Sequence, residues 1–94
     1  MKAHELQKAL DSYGKAIDSA GTGNVPDAKL SIYYANRAYV HIKMENYGLS
    51  LRDANESIRL NKEYSKGYYR AGSAYLVLGK NKEAYDNYLK VHMK

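Results

Sequence analysis

The chain has 94 residues, no cysteine, and 15 lysines and arginines against 10 acidic residues, which gives a formal net charge of +5. This length allows one domain, and the lack of cysteine excludes disulfides, thiolate metal sites and a cysteine nucleophile. The basic balance favours an acidic partner. Residues 1–8 lack the apolar run of a signal peptide, so we expect a cytoplasmic protein, with the nucleus as the alternative.

Apolar and small residues recur at steps of three and four, which predicts an all-α protein of about five helices. The first helix ends near residue 20, and the loop after it contains glycines and the only proline. The remaining helices are predicted at about 28–44, 47–60, 64–78 and from 82 onward. Their short connections force neighbouring helices to be antiparallel, and Gly79 falls in the C-cap region of the fourth helix.

The second half of the chain corresponds to the first at an offset of 34 residues. Ala38 and Gly72 share one position of this unit, and Ser50 and Ala84 share another. Two helices in a 34-residue period are typical of tetratricopeptide repeats. Where one residue is small, the helices can pack closely and a tyrosine of the partner helix fills the gap.

This periodicity predicts a single domain of helix-turn-helix repeats stacked into a right-handed superhelix. Residues 1–20 form the second helix of an incomplete first repeat, 21–29 a loop, 30–63 the second repeat and 64–94 the third.

Each repeat buries its apolar face on its neighbours, and terminal faces need a polar cap. We therefore expect exposed apolar faces at both ends of the domain. Their residues are Leu6, Leu10 and Tyr13 at one end and Tyr85, Leu89 and Val91 at the other. Either the chain is part of a longer domain, or a second copy covers these faces in a homo-oligomer.

Residues 31–94 resemble the second and third repeats of co-chaperone tetratricopeptide domains. The similar stretches include Ile-Tyr-Tyr-Ala-Asn-Arg-Ala at 32–38, Glu-Asn-Tyr-Gly at 45–48 and, most specifically, Tyr-Ser-Lys-Gly-Tyr-Tyr-Arg at 64–70. The chain looks most like the domain that precedes the catalytic part in the serine/threonine protein phosphatase five family. Small glutamine-rich tetratricopeptide co-chaperones carry similar stretches. The resemblance implies a non-catalytic interaction module, the regulatory domain of a phosphatase whose catalytic part is not in this chain.

In that family, a "carboxylate clamp" in a concave groove holds the C-terminal Glu-Glu-Val-Asp of cytosolic heat-shock chaperones. The resemblance places Asn36, Lys66 and Arg70 in this clamp. The first repeat normally adds a lysine and an asparagine from a helix that this sequence does not contain. The implied partners are a chaperone C-terminal peptide and a fused catalytic domain, with no cofactor.

The residues support a carboxylate site without the family. Lys66 and Arg70 lie at i and i+4 and share one helical face, and Asn36 has the same repeat position as Arg70. Arginine offers a planar fork and lysine a compact charge for carboxylates, and asparagine can donate a hydrogen bond. Tyr69 is added as a groove wall on spacing alone. A merely solvated charged face is the alternative.

Other functions have weaker support. His41 takes a position usually filled by a core aromatic, and the three histidines are too scattered along the sequence for metal ligation. Asp53 and Glu56 are interpreted as exposed acids of an amphipathic helix and not as a catalytic pair. Lysines interleaved with acids argue against nucleic-acid binding, and no apolar window is long enough for a membrane span. A scaffold that self-associates or binds a partner helix through its uncapped faces is the alternative function.

Overall fold

The computed structural model describes residues 2–21, 23 and 25–92, in which all regular structure is helical. The helices are α1 (Ala3–Ala20), α2 (Asp27–Lys43), α3 (Tyr47–Leu60), α4 (Ser65–Val77) and α5 (Asn81–His92). The predicted all-α class of about five helices is confirmed, and helices α2 to α5 begin within one residue of the predicted positions. Among the described residues, no helix combines the length and apolarity that a bilayer crossing requires.

Consecutive helices pack on each other, and α2 additionally packs on α4. Because α2 and α4 touch directly, they stand side by side as one wall of the molecule, and α3 packs on both of them. Helix α1 packs on α2, and α5 packs on α4. The assignment of residues 30–63 and 64–94 to two repeats stays a prediction.

The interior is built from small residues. Ala38, Ala54 and Ala71 form the central cluster, and no fully buried side chain among the described residues is larger than that of Asp53. Half-buried apolar side chains pack around this cluster, namely Leu51, Ile58 and Tyr75. Small side chains let the helix backbones approach closely, so packing depends on shape more than on bulk.

Buried hydroxyl groups join α2 to α3. Ser31 Oγ donates to the Ser57 carbonyl at 2.8 Å, and Ser57 Oγ donates to the Ser31 carbonyl at 2.8 Å. Ser50 Oγ donates to the Ala38 carbonyl at 2.7 Å. Each buried hydroxyl thus has a hydrogen-bond partner on the other helix, as burial of a polar group requires.

The contact between α4 and α5 confirms the predicted role of a small residue. A Cβ on Gly72 would lie 2.7 Å from the ring of Tyr88, so no larger residue fits unless the ring moves. The turn after α4 also agrees with prediction, because Gly79 has φ +78. Glu45, which is 34 residues earlier, has φ 62, although this left-handed conformation favours glycine.

The expectation of exposed apolar faces at both ends is wrong for the first end. Leu6 is only 6% exposed, and Leu10 and Tyr13 are half-buried, because α1 turns its apolar stripe towards α2. At the other end Tyr85 and Leu89 are 63% and 40% exposed, as expected. Val91, expected to be exposed, is half-buried.

Candidate binding groove

One face of α2 lies against α4 and carries Asn36, Tyr39 and Lys43, which are spaced as one helical stripe. The guanidinium carbon of Arg70, from α4, lies 4.5 Å from the centroid of the Tyr39 ring. Lys43 Nζ lies 5.4 Å from the same centroid. Both distances are within the range of a cation–π interaction. Basic side chains from two helices therefore meet at one tyrosine.

Arg70 has no acidic partner among the described residues. Its guanidinium carbon lies 5.3 Å from the Tyr69 ring as well, so tyrosines of two helices flank it. Arg70 Nε is buried, and no described residue accepts a hydrogen bond from it. A buried donor without an acceptor is unfavourable by about 1–3 kcal/mol. A carboxylate brought by a ligand would relieve this penalty.

Tyr69 is held in place from the side of α5. Its ring meets the Tyr88 ring edge to face, with centroids 5.9 Å apart. The Tyr88 hydroxyl shares a hydrogen bond of 3.1 Å with Ser73 Oγ, and the Tyr88 ring is seated on Gly72. Tyr69 is nonetheless 49% exposed, so part of its ring is available to a ligand.

The structure brings two of the four predicted site residues into direct contact, Arg70 and Tyr69. Lys66 is exposed and lies one helical turn before Arg70, and Asn36 is half-buried and lies one turn before Tyr39. Within the described part of the chain, no hydrogen bond or ion pair engages Lys66 or Asn36. Their role in binding stays a prediction.

Sequence reasoning missed Tyr39 and Lys43 on this face. The helical spacing from Asn36 contained the signal, because residues three and seven positions later return to the same side. The internal repeat hid it, because the positions 34 residues later are Ser73 and Val77. Neither of those residues is aromatic or charged, so the repeat comparison gave no reason to single out Tyr39 or Lys43.

The side of α2 that faces α3 holds a cation of a different kind. Arg37 Nε and Nη2 donate to the two carboxylate oxygens of Asp53 at 2.7 and 2.9 Å. This hydrogen-bonded pair raises the pKa of Arg37. The Asp53 side chain is only 2% exposed, so the interpretation of Asp53 as an exposed acid is wrong. It is buried because it satisfies an arginine on the neighbouring helix.

His41 completes this paired cluster. It is 6% exposed, which confirms the prediction of a packed histidine, and its Nε2 lies 3.6 Å from Asp53 Oδ2. Burial lowers the pKa of His41, although the nearby Asp53 charge acts in the opposite direction. An open cleft of about 330 Å³ beside the cluster is lined by Tyr34, Arg37, Arg52, Asp53 and Glu56. Among the described residues, no cluster of histidine and acidic side chains is arranged to hold a metal ion.

Comparison with known proteins places these observations in a family. No protein-family model matches the chain. The chain is 38% identical over 87 residues to serine/threonine-protein phosphatase 5 of Mus musculus, a match that covers 93% of the chain and 16% of the phosphatase. It is 36% identical over 88 residues to heat shock protein STI1 of Saccharomyces cerevisiae, which covers 94% of the chain and 14% of STI1. The chain thus spans only about one sixth of the length of such relatives.

Solved structures give the same answer. The second TPR of Spaghetti (RPAP3), bound to the HSP90 peptide SRMEEVD, superposes with a TM-score of 0.81 at 28% identity. That match covers 94% of this chain and 75% of the other. The chain is therefore a tetratricopeptide-repeat domain. Within that class it belongs with the domains of phosphatase 5 and STI1, as the motifs at 32–38 and 64–70 predicted.

Proposed function

We propose that this domain docks the acidic C-terminal peptide of a heat-shock chaperone in the groove between α2 and α4. One observation carries the proposal: Arg70 lies between two tyrosine rings with a buried Nε that has no acceptor on the described chain. A peptide carboxylate would supply that acceptor. The peptide SRMEEVD bound to the Spaghetti domain ends in two carboxylates, those of its terminal aspartate.

The groove offers groups that match such a peptide end. Arg70, Lys66 and Lys43 contribute positive charge, and charge-assisted hydrogen bonds to carboxylates are about twice as strong as neutral ones. Asn36 donates its amide to the peptide. Tyr69 forms a wall against which the apolar part of the peptide packs. The net charge of +5 draws an acidic peptide towards the domain.

The domain itself is not an enzyme in this proposal. Its relatives include phosphatases of which it matches about one sixth, the region aligned with phosphatase 5 being 16% of that protein. We therefore assign it the targeting or regulatory role in a larger protein such as a phosphatase, working in the cytoplasm.

Titration calorimetry with the peptide SRMEEVD tests the docking function. The free-acid peptide is expected to bind at least tenfold more tightly than the same peptide amidated at its C-terminus, since each lost charge-assisted hydrogen bond is worth about 1.5–3 kcal/mol. Arg70→Gln is expected to weaken the free-acid complex at least tenfold. Arg52→Gln is the matched control, because Arg52 is an exposed arginine of α3 outside the groove. Equal affinity for the two peptides, or an equal loss in both variants, would refute the proposal.

A scaffold function is the second candidate, and one observation favours it. Large apolar side chains at the end of α4 and on α5 are at least 40% exposed, namely Leu76, Val77, Leu78, Tyr85 and Leu89. A second copy or a partner helix could cover them. Sedimentation equilibrium separates the two candidates, because a scaffold that self-associates shows a mass that rises with concentration, whereas a docking module stays monomeric.

A further inference from the structure

We propose that Tyr39 is a positioning residue that holds Arg70 ready for a ligand carboxylate. This inference rests on the docking function proposed above. It assigns to the groove a residue that does not itself need to bind the carboxylate. The ligand class is unchanged: a peptide with a free C-terminal carboxylate.

The first argument is where Arg70 is held. An arginine side chain has several rotatable bonds, and a free one loses much conformational entropy when it binds. Here the Arg70 guanidinium lies 4.5 Å from the Tyr39 centroid on α2 and 5.3 Å from the Tyr69 centroid on its own helix. The shorter contact is the one between helices. Tyr39 therefore fixes the charged group relative to the groove, and part of the ordering is complete before the peptide arrives.

The second argument is what kind of partner Tyr39 is. A tyrosine ring attracts a cation through the negative face of its π system, whereas a carboxylate attracts it by accepting its N–H hydrogen bonds. The ring therefore stabilises Arg70 without occupying its donors. The buried, unpartnered Nε shows that at least one donor stays unused. Arg70 is thus held in place and still needs an anion.

The third argument is that Tyr39 brings two cations to the same place. Lys43 Nζ also lies over this ring, 5.4 Å from its centroid. Two positive charges from different helices would repel each other without an intervening group. The electron-rich ring offsets part of that repulsion. A peptide end with two carboxylates therefore meets two cations already gathered over one side chain.

Two substitutions of Tyr39 test the inference by titration calorimetry with SRMEEVD. Tyr39→Phe keeps the ring and is expected to bind within twofold of the unchanged domain. Tyr39→Leu keeps apolar volume without the ring and is expected to bind about fivefold to tenfold more weakly, the range of a partly desolvated cation–π contact. Tyr34→Leu is the matched control, because Tyr34 meets Arg37 at 5.4 Å outside the groove, and it should leave binding unchanged.

A measurement without peptide separates this inference from the docking function. The Nε–H proton of Arg70, followed by nuclear magnetic resonance, is expected to exchange slowly with water in the unchanged domain and in Tyr39→Phe, and faster in Tyr39→Leu. The Nε–H of Arg37, which is bonded to Asp53, serves as an internal reference and should not change. Equal exchange of Arg70 in all three proteins, or full peptide affinity in Tyr39→Leu, overturns the positioning role. If the unchanged domain fails to distinguish free-acid from amidated peptide, the docking function fails instead.

Discussion

Arg37 and Arg70 each lie over a tyrosine ring, yet they have opposite surroundings. Arg37 is 5.4 Å from the Tyr34 centroid and is bonded through two nitrogens to the buried Asp53. Arg70 is 4.5 Å from the Tyr39 centroid and has no acidic partner in the described chain. The presence of an internal carboxylate separates an arginine that stabilises the fold from an arginine that is available to a ligand.

The difference follows from the chemistry of the guanidinium group. A bidentate carboxylate takes up its donors and compensates its charge, so Arg37 has little left to offer a partner. Removing one member of such a buried pair is strongly destabilising, because it leaves the other charge uncompensated. Tyrosine rings hold Arg70 without compensating it fully. This contrast predicts that substitutions at the two arginine sites affect different measurements.

Asp53→Asn gives the largest expected effect. The change leaves Arg37 without its charged acceptor in a site where Asp53 is 2% exposed, so the free energy of unfolding should fall by about 3 kcal/mol. Urea denaturation followed by circular dichroism measures it. Asp86→Asn, which alters an exposed acid of α5, should be nearly neutral. A loss below about 1 kcal/mol for Asp53→Asn would show that the internal pair is not what stabilises this region.

Lowering the pH is expected to weaken the same region through His41. Burial keeps the folded-state pKa of His41 below its ordinary value of 6.5, so the unfolded chain binds the proton more readily. The contribution is therefore complete above pH 6.5 and is lost as the pH falls below it, by at most about 1.4 kcal/mol per pH unit.

Urea denaturation at several pH values between 7.5 and 5 measures this dependence. The hydrogen bond from Arg59 lowers the pKa of Glu56 below 4.5, so that group titrates below the chosen range. His41→Gln should flatten the dependence, and His92→Gln, at an exposed position of α5, should not. An unchanged slope in His41→Gln would assign the effect to another group.

Arg70→Gln should have a smaller effect on stability than either change above. The side chain gives up cation–π contacts but also removes a buried donor without an acceptor, so the free energy of unfolding should stay within about 0.5 kcal/mol. The same variant loses peptide binding in the calorimetric test. A large loss of stability would break the contrast, because Arg70 would then be a structural residue like Arg37.

Glu56→Gln gives the smallest expected effect and shows whether pairing alone is enough. Glu56 accepts two hydrogen bonds of 2.7 Å from Arg59, a geometry as good as that of Arg37 and Asp53. Arg59 is 66% exposed, however, and water screens such a pair. The urea midpoint at neutral pH should not change measurably. A shift as large as that of Asp53→Asn would mean that burial does not decide the value of these pairs.

The sequence predicts the elements well because they depend on local signals. Helical periodicity and turn residues mark α2 to α5 to within one residue at their starts. The 34-residue offset pairs Gly72 with a small position, and the structure seats Tyr88 there. Such features repeat along the chain, so one half supports the interpretation of the other.

The pairings between helices could not be predicted in the same way. The bonds from Arg37 to Asp53 join residues 16 apart in the sequence, and Glu56 on the same helix was an equally good acid by composition. The contact of Tyr39 with Arg70 depends on how α2 and α4 are placed, and the repeat comparison gave no signal for it. Such contacts are decided by the relative position of helices, and periodicity alone does not fix that position.

The small-residue interior has a consequence for how this domain can be altered. The fully buried positions hold nothing larger than an aspartate, and enlarging any of them would push helices apart. The 11 tyrosines are instead at least partly accessible, and those at the groove contact cations and each other. Recognition and architecture thus draw on separate sets of side chains. The groove can be redesigned for a different peptide end while the alanine and serine interior is left unchanged.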